Sequence, residues 1–292
     1  MITLAHNDIR LLRVFHCVTV EKGFAPAAAK LGLSEAAVSR AMSDLEARIG
    51  LRLCRRGRGG FGLEQNGEFV LKATQRLLGE MDFFSETLNI YRRGLAGELR
   101  LAITESTLSD RNNQISGLIA RYKLRAPAVR IELSVLPPDG VSAQVRDGQA
   151  HIGFLPVQKR SEDLTYRELY EERMSLYCSQ GHPFFGRECT QEDIHAAEIA
   201  APDYLTNEGL GDHDGKLQIV SRTNSIEGIA MLIMTGSYLG FLPDHMASAW
   251  VERGQLQELL PEFFGYHTRF YAISHPRREA SPMVQSFLRE LS

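Results

Sequence analysis

The sequence predicts two parts: an N-terminal winged helix-turn-helix, and a C-terminal α/β unit reached through one long helix. Three observations predict it. A short alanine-rich helix, a glycine turn and a second helix are followed at once by an arginine-rich hairpin. An apolar repeat of seven then runs through residues 66–93, and the remaining chain alternates strand-like with helix-like stretches. With 292 residues, 43% of them hydrophobic and 24% charged, the chain can bury sizeable cores and is neither disordered nor collagen-like. The net charge of −3 argues against a nucleic-acid partner until it is divided. Residues 1–93 hold 14 basic and 10 acidic side chains, whereas residues 94–292 hold 19 and 26, so the blocks carry +4 and −7. That asymmetry suits a DNA-binding unit appended to an acidic one.

The first helix is expected to start at a cap by Asp8 and to bury Leu11, Phe15 and Val18 before ending near Gly23. A short helix follows, with Pro26 tolerable in its first turn and Gly32 suited to its C-terminal cap. Ser34 caps a third helix, Glu35 to Ile49, whose Val38, Met42, Leu45 and Ile49 recur on one face and turn to the core. The opposite face offers Glu35, Ala36, Ser39, Arg40 and Ser43: short side chains for close approach to a major groove, and an arginine able to fork onto guanine or phosphate. Ser34, Ala36, Ser39, Arg40 and Ser43 are the expected DNA contacts of this helix. Downstream, Leu51-Arg52-Leu53 reads as a strand, residues 54–60 as a turn, and Phe61-Gly62-Leu63 as the return. Arg55, Arg56 and Arg58 at its tip would meet phosphates, with affinity falling as salt rises.

In residues 66–93, Val70, Leu77, Phe84 and Tyr91 repeat at seven, with Thr74, Met81 and Leu88 at the alternate step. A helix of about 28 residues spans roughly 40 Å, too long for a small wing domain to cover, so its seam wants a partner helix. Self-pairing would set two recognition helices on successive major-groove faces and predicts an inverted-repeat site. A long core helix inside one domain is the alternative.

At this point the chain resembles the LysR-type family of bacterial transcriptional regulators. The residues that carry the resemblance are Leu12 and Phe15; Ala28-Ala29 with Leu31; Ser34 with Ala37-Val38-Ser39-Arg40; Leu45-Glu46; Ile49-Gly50; Leu53 with Arg56; and Leu63 with Gly67. Three positions depart from the family pattern. Gly23-Phe24-Ala25-Pro26 replaces Gly-Ser-Phe-Ser and loses hydroxyls that often meet phosphate; Leu53-Cys54-Arg55-Arg56 replaces Leu-Phe-x-Arg; and Leu63-Glu64 replaces Leu-Thr.

Past a hinge at residues 92–97, strands are expected at 98–104, 129–136, 150–156, 217–223, 238–242 and 269–275, with helices at 113–125, 140–147, 226–235 and 282–291. Residues 164–178 read as a long crossing strand, and two sheets are expected rather than one. The resemblance implies an effector domain like a periplasmic solute-binding protein, with two α/β lobes around a cleft. The expected division is 1–65 winged helix-turn-helix, 66–93 linker and dimerisation helix, and 94–292 effector domain. Within the last, lobe I takes about 97–163 plus 270–292 and lobe II about 164–269.

In such sheets ligands gather beyond the carboxyl ends of strands, where helix N-termini offer N–H groups to anions. That places Thr104, Ser106, Thr107 and Ser225 as polar effector contacts, and Phe154, Pro156 and Tyr204 as apolar walls. The family commonly has an acidic residue where this chain has His151, which can sense pH, meet an anionic effector or simply be hydrogen-bonded. Residues 201–217 carry no helical stripe where the family commonly has a helix.

No local signature of nucleophilic, phosphoryl-transfer, hydride-transfer or zinc chemistry occurs, and no cofactor is expected. Asp212-His213-Asp214 can ligate a metal, but a solvated turn explains it better. Cys17, Cys54, Cys178 and Cys189 fall at irregular spacings and are expected reduced; a peroxide-sensing member of the family uses a disulfide in the region of the last two, without a matching setting here. No stretch reaches the ~18 apolar residues of a membrane span, and the first residues lack the pattern of a secretory signal, so the expected compartment is the cytoplasm. The expected protein is not an enzyme. It is an effector-controlled regulator that binds promoter DNA as a homodimer or homotetramer and contacts RNA polymerase. The rival is a small-molecule-binding or catalytic α/β protein with a vestigial winged helix.

Overall fold

A computed structural model describes residues 5–55, 61–157, 159–203 and 216–291, leaving aside the side chains of residues 6, 86, 89 and 91–93. Contacts divide the chain into residues 1–86 with 147–149, and residues 87–146 with 150–292.

In the first unit, α1 (His6–Val20), α2 (Phe24–Leu31) and α3 (Glu35–Ile49) enclose one core. Leu11, Phe15, Val18, Ala27, Val38, Met42 and Leu45 are buried in it, as the apolar spacing requires. Asp8 does not cap α1. The helix begins two residues earlier, and Asp8 reaches back to accept the Ala5 N–H at 2.7 Å while pairing with Arg48 of α3 at 3.2 Å. Gly32, at φ 64°, ends α2 in the left-handed region that glycine tolerates best.

Strands β1 (Cys54–Arg55) and β2 (Gly62–Leu63) pair antiparallel, Cys54 opposite Leu63. The outgoing strand thus starts later than the apolar alternation suggested, because Leu53 is fully buried in the helical core instead of extending the hairpin. Glu46 of α3 fixes this junction by accepting the N–H of Leu53 at 2.9 Å and of Cys54 at 3.3 Å.

Helix α4 (Gln65–Arg93) follows. Its seam divides: Val70 and Thr74 are buried and Leu77 packs on the winged-helix core, whereas Phe84 and Leu88 are exposed. The Tyr91 side chain lies outside the described residues.

The second unit contains β3 (Gly97–Ile103), α5 (Ile115–Arg125), β4 (Val129–Val135), α6 (Pro138–Arg146), β5 (Ile152–Pro156), β6 (Thr165–Ser179), α7 (Gln191–Ala196), β7 (Glu198–Pro202) and β8 (Gln218–Thr223). It continues with α8 (Ile226–Met234), β9 (Leu239–Pro243), α9 (Asp244–Glu252), β10 (Leu256–Glu258), α10 (Pro261–Phe264), β11 (Tyr266–Ser274) and α11 (Pro282–Leu288). Among the described residues these strands form one ladder, β4-β3-β5-β11-β6-β9-β7-β8, with β10 on β6, rather than the two sheets expected. The cause is the length of β6. Its first part pairs with β11, Thr165 opposite Ser274, and its last part with β9, Tyr177 opposite Gly240, so one strand joins two halves. β3 is parallel to β4 and β5, and β7 to β8 and β9, while every pairing of β6 or β11 is antiparallel.

Side chains alternate across the β3 half with period two. Leu99, Leu101, Ile103, Ile152 and Phe154 face α5 and α11, while Ala102 and Leu155 face α6. The β9 half has its own core around Leu176, Ile199, Ile229, Ile233 and Phe241.

Candidate nucleic-acid interface and effector cleft

Helix α3 is anchored from behind and presented in front. Val38, Ala41, Met42 and Leu45 are buried, so the other face must point outward. On that face Ser34, Ala36, Arg40 and Ser43 are exposed and Ser39 is half-buried. Ser34 accepts the Ala37 N–H at 3.2 Å as the helix cap, and the Ser43 hydroxyl donates to the Ser39 carbonyl at 3.1 Å. Both hydroxyls therefore have partners within the helix, and Arg40 is the long cationic group that projects from this face. Arg55 on the wing is exposed. Arg56 and Arg58 lie outside the described residues. The face combines a convex helix, small side chains and a fork of N–H donors, which is what groove entry requires.

In the second unit, the loop after β3 holds Thr104 to Asp110. Thr104 is buried and its N–H donates to the Phe154 carbonyl at 3.0 Å. Ser106 has φ 63°, an uncommon conformation for a residue with a Cβ, of the sort found where a loop is held for function. The buried Thr107 receives the Asn113 amide on its carbonyl at 2.9 Å. Facing this loop, Ser225 caps α8 by accepting the Gly228 N–H at 2.9 Å. Between them, Glu105 accepts the Ile226 N–H at the first turn of α8. The loop after β3 thus meets the N-terminus of α8, with a carboxylate already seated on its first N–H, that of Ile226.

Residues 92–292 match the LysR substrate binding domain, and residues 9–68 match the bacterial regulatory helix-turn-helix protein, lysR family. The chain belongs to the LysR family. It is 36% identical over 285 residues to the HTH-type transcriptional activator BauR of Pseudomonas aeruginosa, covering 96% of this chain and 93% of that one. It is 31% identical over 197 residues to the probable HTH-type transcriptional regulator LrrA of Synechococcus elongatus, covering 68% and 66%. Its fold is similar to that of full-length CbnR solved with its target DNA, with a TM-score of 0.64, 19% identity, and 97% of this chain and 98% of that one covered. The chain is accordingly a LysR-type transcriptional regulator with a helix-turn-helix DNA-binding domain and an effector-binding domain, and not an enzyme. No helix among the described residues is long and apolar enough to cross a membrane.

Thr104, Ser106 and Thr107 share the loop after β3, which Glu105 ties to the turn where Ser225 caps α8, while two other expected effector contacts lie elsewhere. His151 is buried at the amino end of β5, opposite the end where ligands gather; its Nδ1 accepts the Arg100 N–H at 3.1 Å, and its Nε2 stands 3.2 Å from the Arg100 guanidinium. Phe154 is fully buried against the edge of Phe287, centroids 6.3 Å apart, so it is core and not cleft wall. The period-two alternation decides this, since Leu155 and Phe154 must face opposite ways. Pro156 is half-buried opposite Phe270 at the end of β5. Tyr204 and Asp212-His213-Asp214 lie outside the described residues. Glu105 was missed although it stands inside the Thr104–Thr107 run; its position between two hydroxyl residues was the available signal.

Proposed function

We propose that this regulator is cytoplasmic, binds an inverted-repeat promoter site as a homodimer through α4, assembles further to a homotetramer, and acts on RNA polymerase. Exposed Phe84 and Leu88, seven and eleven residues beyond the covered Leu77, support self-pairing, because an apolar stripe left in water gains by meeting its own copy. Arg40 would contact bases or phosphate with Ser39 beside it, and Arg55, Arg56 and Arg58 would contact phosphate. The observation that carries this reading is the opposition of faces on α3, where buried Val38, Met42 and Leu45 fix the outward aim of Arg40.

The effector is a small molecule bearing an anionic group, contacting Thr104, Ser106, Thr107 and Ser225. The seating of Glu105 at Ile226 supports that reading, because the same N–H would receive an effector carboxylate in its place. Binding then alters promoter output only through a difference in affinity between the two arrangements. The name of BauR, an activator, favours activation as the output. Footprinting of the full-length protein on its own upstream DNA tests the first part: two protected half-sites about one helical turn apart are expected, and sedimentation of Phe84→Asp should show loss of the dimer. Protection of a single half-site by a monomer would refute the dimeric reading.

A further inference from the structure

Asp110, Glu172 and His245 come together in the second unit from three separate elements: the loop after β3, strand β6 and the first turn of α9. One ligand-type atom from each lies within 4.8 Å of the others. His245 Nε2 stands 2.6 Å from Glu172 Oε1 and 3.9 Å from Asp110 Oδ2. Asp110 and Glu172 are 4% and 8% exposed in their side chains and His245 13%, so two acidic groups share a nearly dry site with a narrow opening at the imidazole.

Ser109 Oγ stands 3.1 Å from the Ser106 carbonyl and 2.9 Å from His245 Nδ1, and its one proton serves only one of them. With that proton on the carbonyl, the hydroxyl accepts from Nδ1, which then carries a hydrogen. In the neutral imidazole Nε2 is then a bare lone pair aimed at two carboxylates, an arrangement that repels unless a cation stands between. The Tyr170 hydroxyl adds a second sign. It is buried without a hydrogen-bond partner, close to the same carboxylates.

The geometry points to a site for one divalent first-row transition-metal ion, with Asp110, Glu172 and His245 as its ligands. Two carboxylates and a neutral imidazole balance a 2+ ion in charge, whereas a proton on Nε2 leaves a net negative charge buried. Ligand bonds of about 2.0–2.2 Å put ligand atoms up to roughly 4 Å apart, so small side-chain shifts complete the shell. The imidazole selects Zn2+, Co2+ or Mn2+ over Mg2+ and Ca2+, which prefer oxygen. Ser109 then serves as the partner that orients the ligating ring, and through its bond to Ser106 it connects the ion to the effector loop.

The test uses tag-free, full-length protein stripped with a chelator and titrated with Co2+. One equivalent per chain with visible ligand-field bands is expected, displaced by Zn2+ and not by Mg2+. Asp110→Asn, Glu172→Gln and His245→Gln should each weaken binding at least tenfold, Ser109→Ala about tenfold, and His267→Ala, at an exposed position of β11, not at all. Should the ligand variants fail to fold, the unmodified Co2+ protein still decides, because an Nε2-bound imidazole shows one exchangeable, strongly shifted Nδ1–H proton resonance. Absence of saturable Co2+ binding at micromolar concentration, binding that survives His245→Gln, or absence of that resonance would overturn the assignment in favour of a proton bridge. The outcome is independent of DNA or effector binding.

Discussion

Glu105, on the loop after β3, accepts the backbone N–H of Ile226, the first residue of α8. A side chain from one half of the sheet thereby fills the anion seat of a helix in the other. Ser225 takes the Gly228 N–H of the same turn, so two of the free donors of α8 are matched within the chain.

Glu105→Ala should loosen that link and free the seat. The loss of a charge-assisted hydrogen bond predicts about 1–2 kcal/mol less stability for the effector unit, seen as a lower melting temperature. Small carboxylic acids should stabilise Glu105→Ala more than the unmodified protein. Equal thermal shifts in both would show that Glu105 does not compete for the site.

Gly67 marks the start of α4 for a steric reason. A Cβ there would stand 1.9 Å from the Leu53 carbonyl oxygen, and backbone cannot yield as a flexible side chain does. Gly67→Ala should cost roughly 1–3 kcal/mol in urea unfolding of the N-terminal unit. A variant as stable as the parent would mean that α4 can shift away from Leu53 freely.

The Ala5 N–H, and then Arg48, hold the Asp8 carboxyl below the ordinary aspartate range. A group with a lowered folded value stabilises above its unfolded value of about 4 and loses that contribution as pH falls through the folded value. Asp8→Asn should therefore lower the urea midpoint at pH 7, and the gap should close under strong acid. A gap that is the same at both pH values would assign the effect to packing instead of charge.

These cases show why part of the fold was legible in sequence. Helical spacing of Val38, Met42 and Leu45 could be read because one face of α3 is buried whatever the distant chain does. Alternation in residues 98–104 located β3 for the same reason. The joining of the sheet through β6 was not legible, since it depends on which strands lie beside residues 165–179, and no local pattern records a neighbour. His151 shows the limit at the site. That it stands where the family commonly has an acidic residue was plain, but parallel pairing of Leu101 with Ile152 puts it at the amino end of its strand. Asp110, Glu172 and His245 are far apart in sequence and have no spacing to betray them.

Cys178 is fully buried, and burial, with the neighbouring Cys189 adding to it, pushes its thiol up to about 12. Burial raises Cys189 as well. A protonated thiol is a poor nucleophile, so neither should be oxidised by sub-millimolar peroxide at pH 7.5. Mass spectrometry of trapped thiols should find all four cysteines free, as they are in the structure. A Cys178–Cys189 disulfide under that treatment would restore a redox role.

The central claim is that α3 and its wing bind DNA, and the salt dependence of that binding tests it most directly. Fluorescence anisotropy of the full-length protein on its own upstream DNA should give an affinity that falls steeply and linearly in log salt. Arg55→Ala should flatten the slope by about one unit, and Arg40→Ala should weaken binding by about 1–3 kcal/mol while leaving the melting temperature unchanged. Binding that does not respond to salt, or that both variants retain in full, would contradict the account.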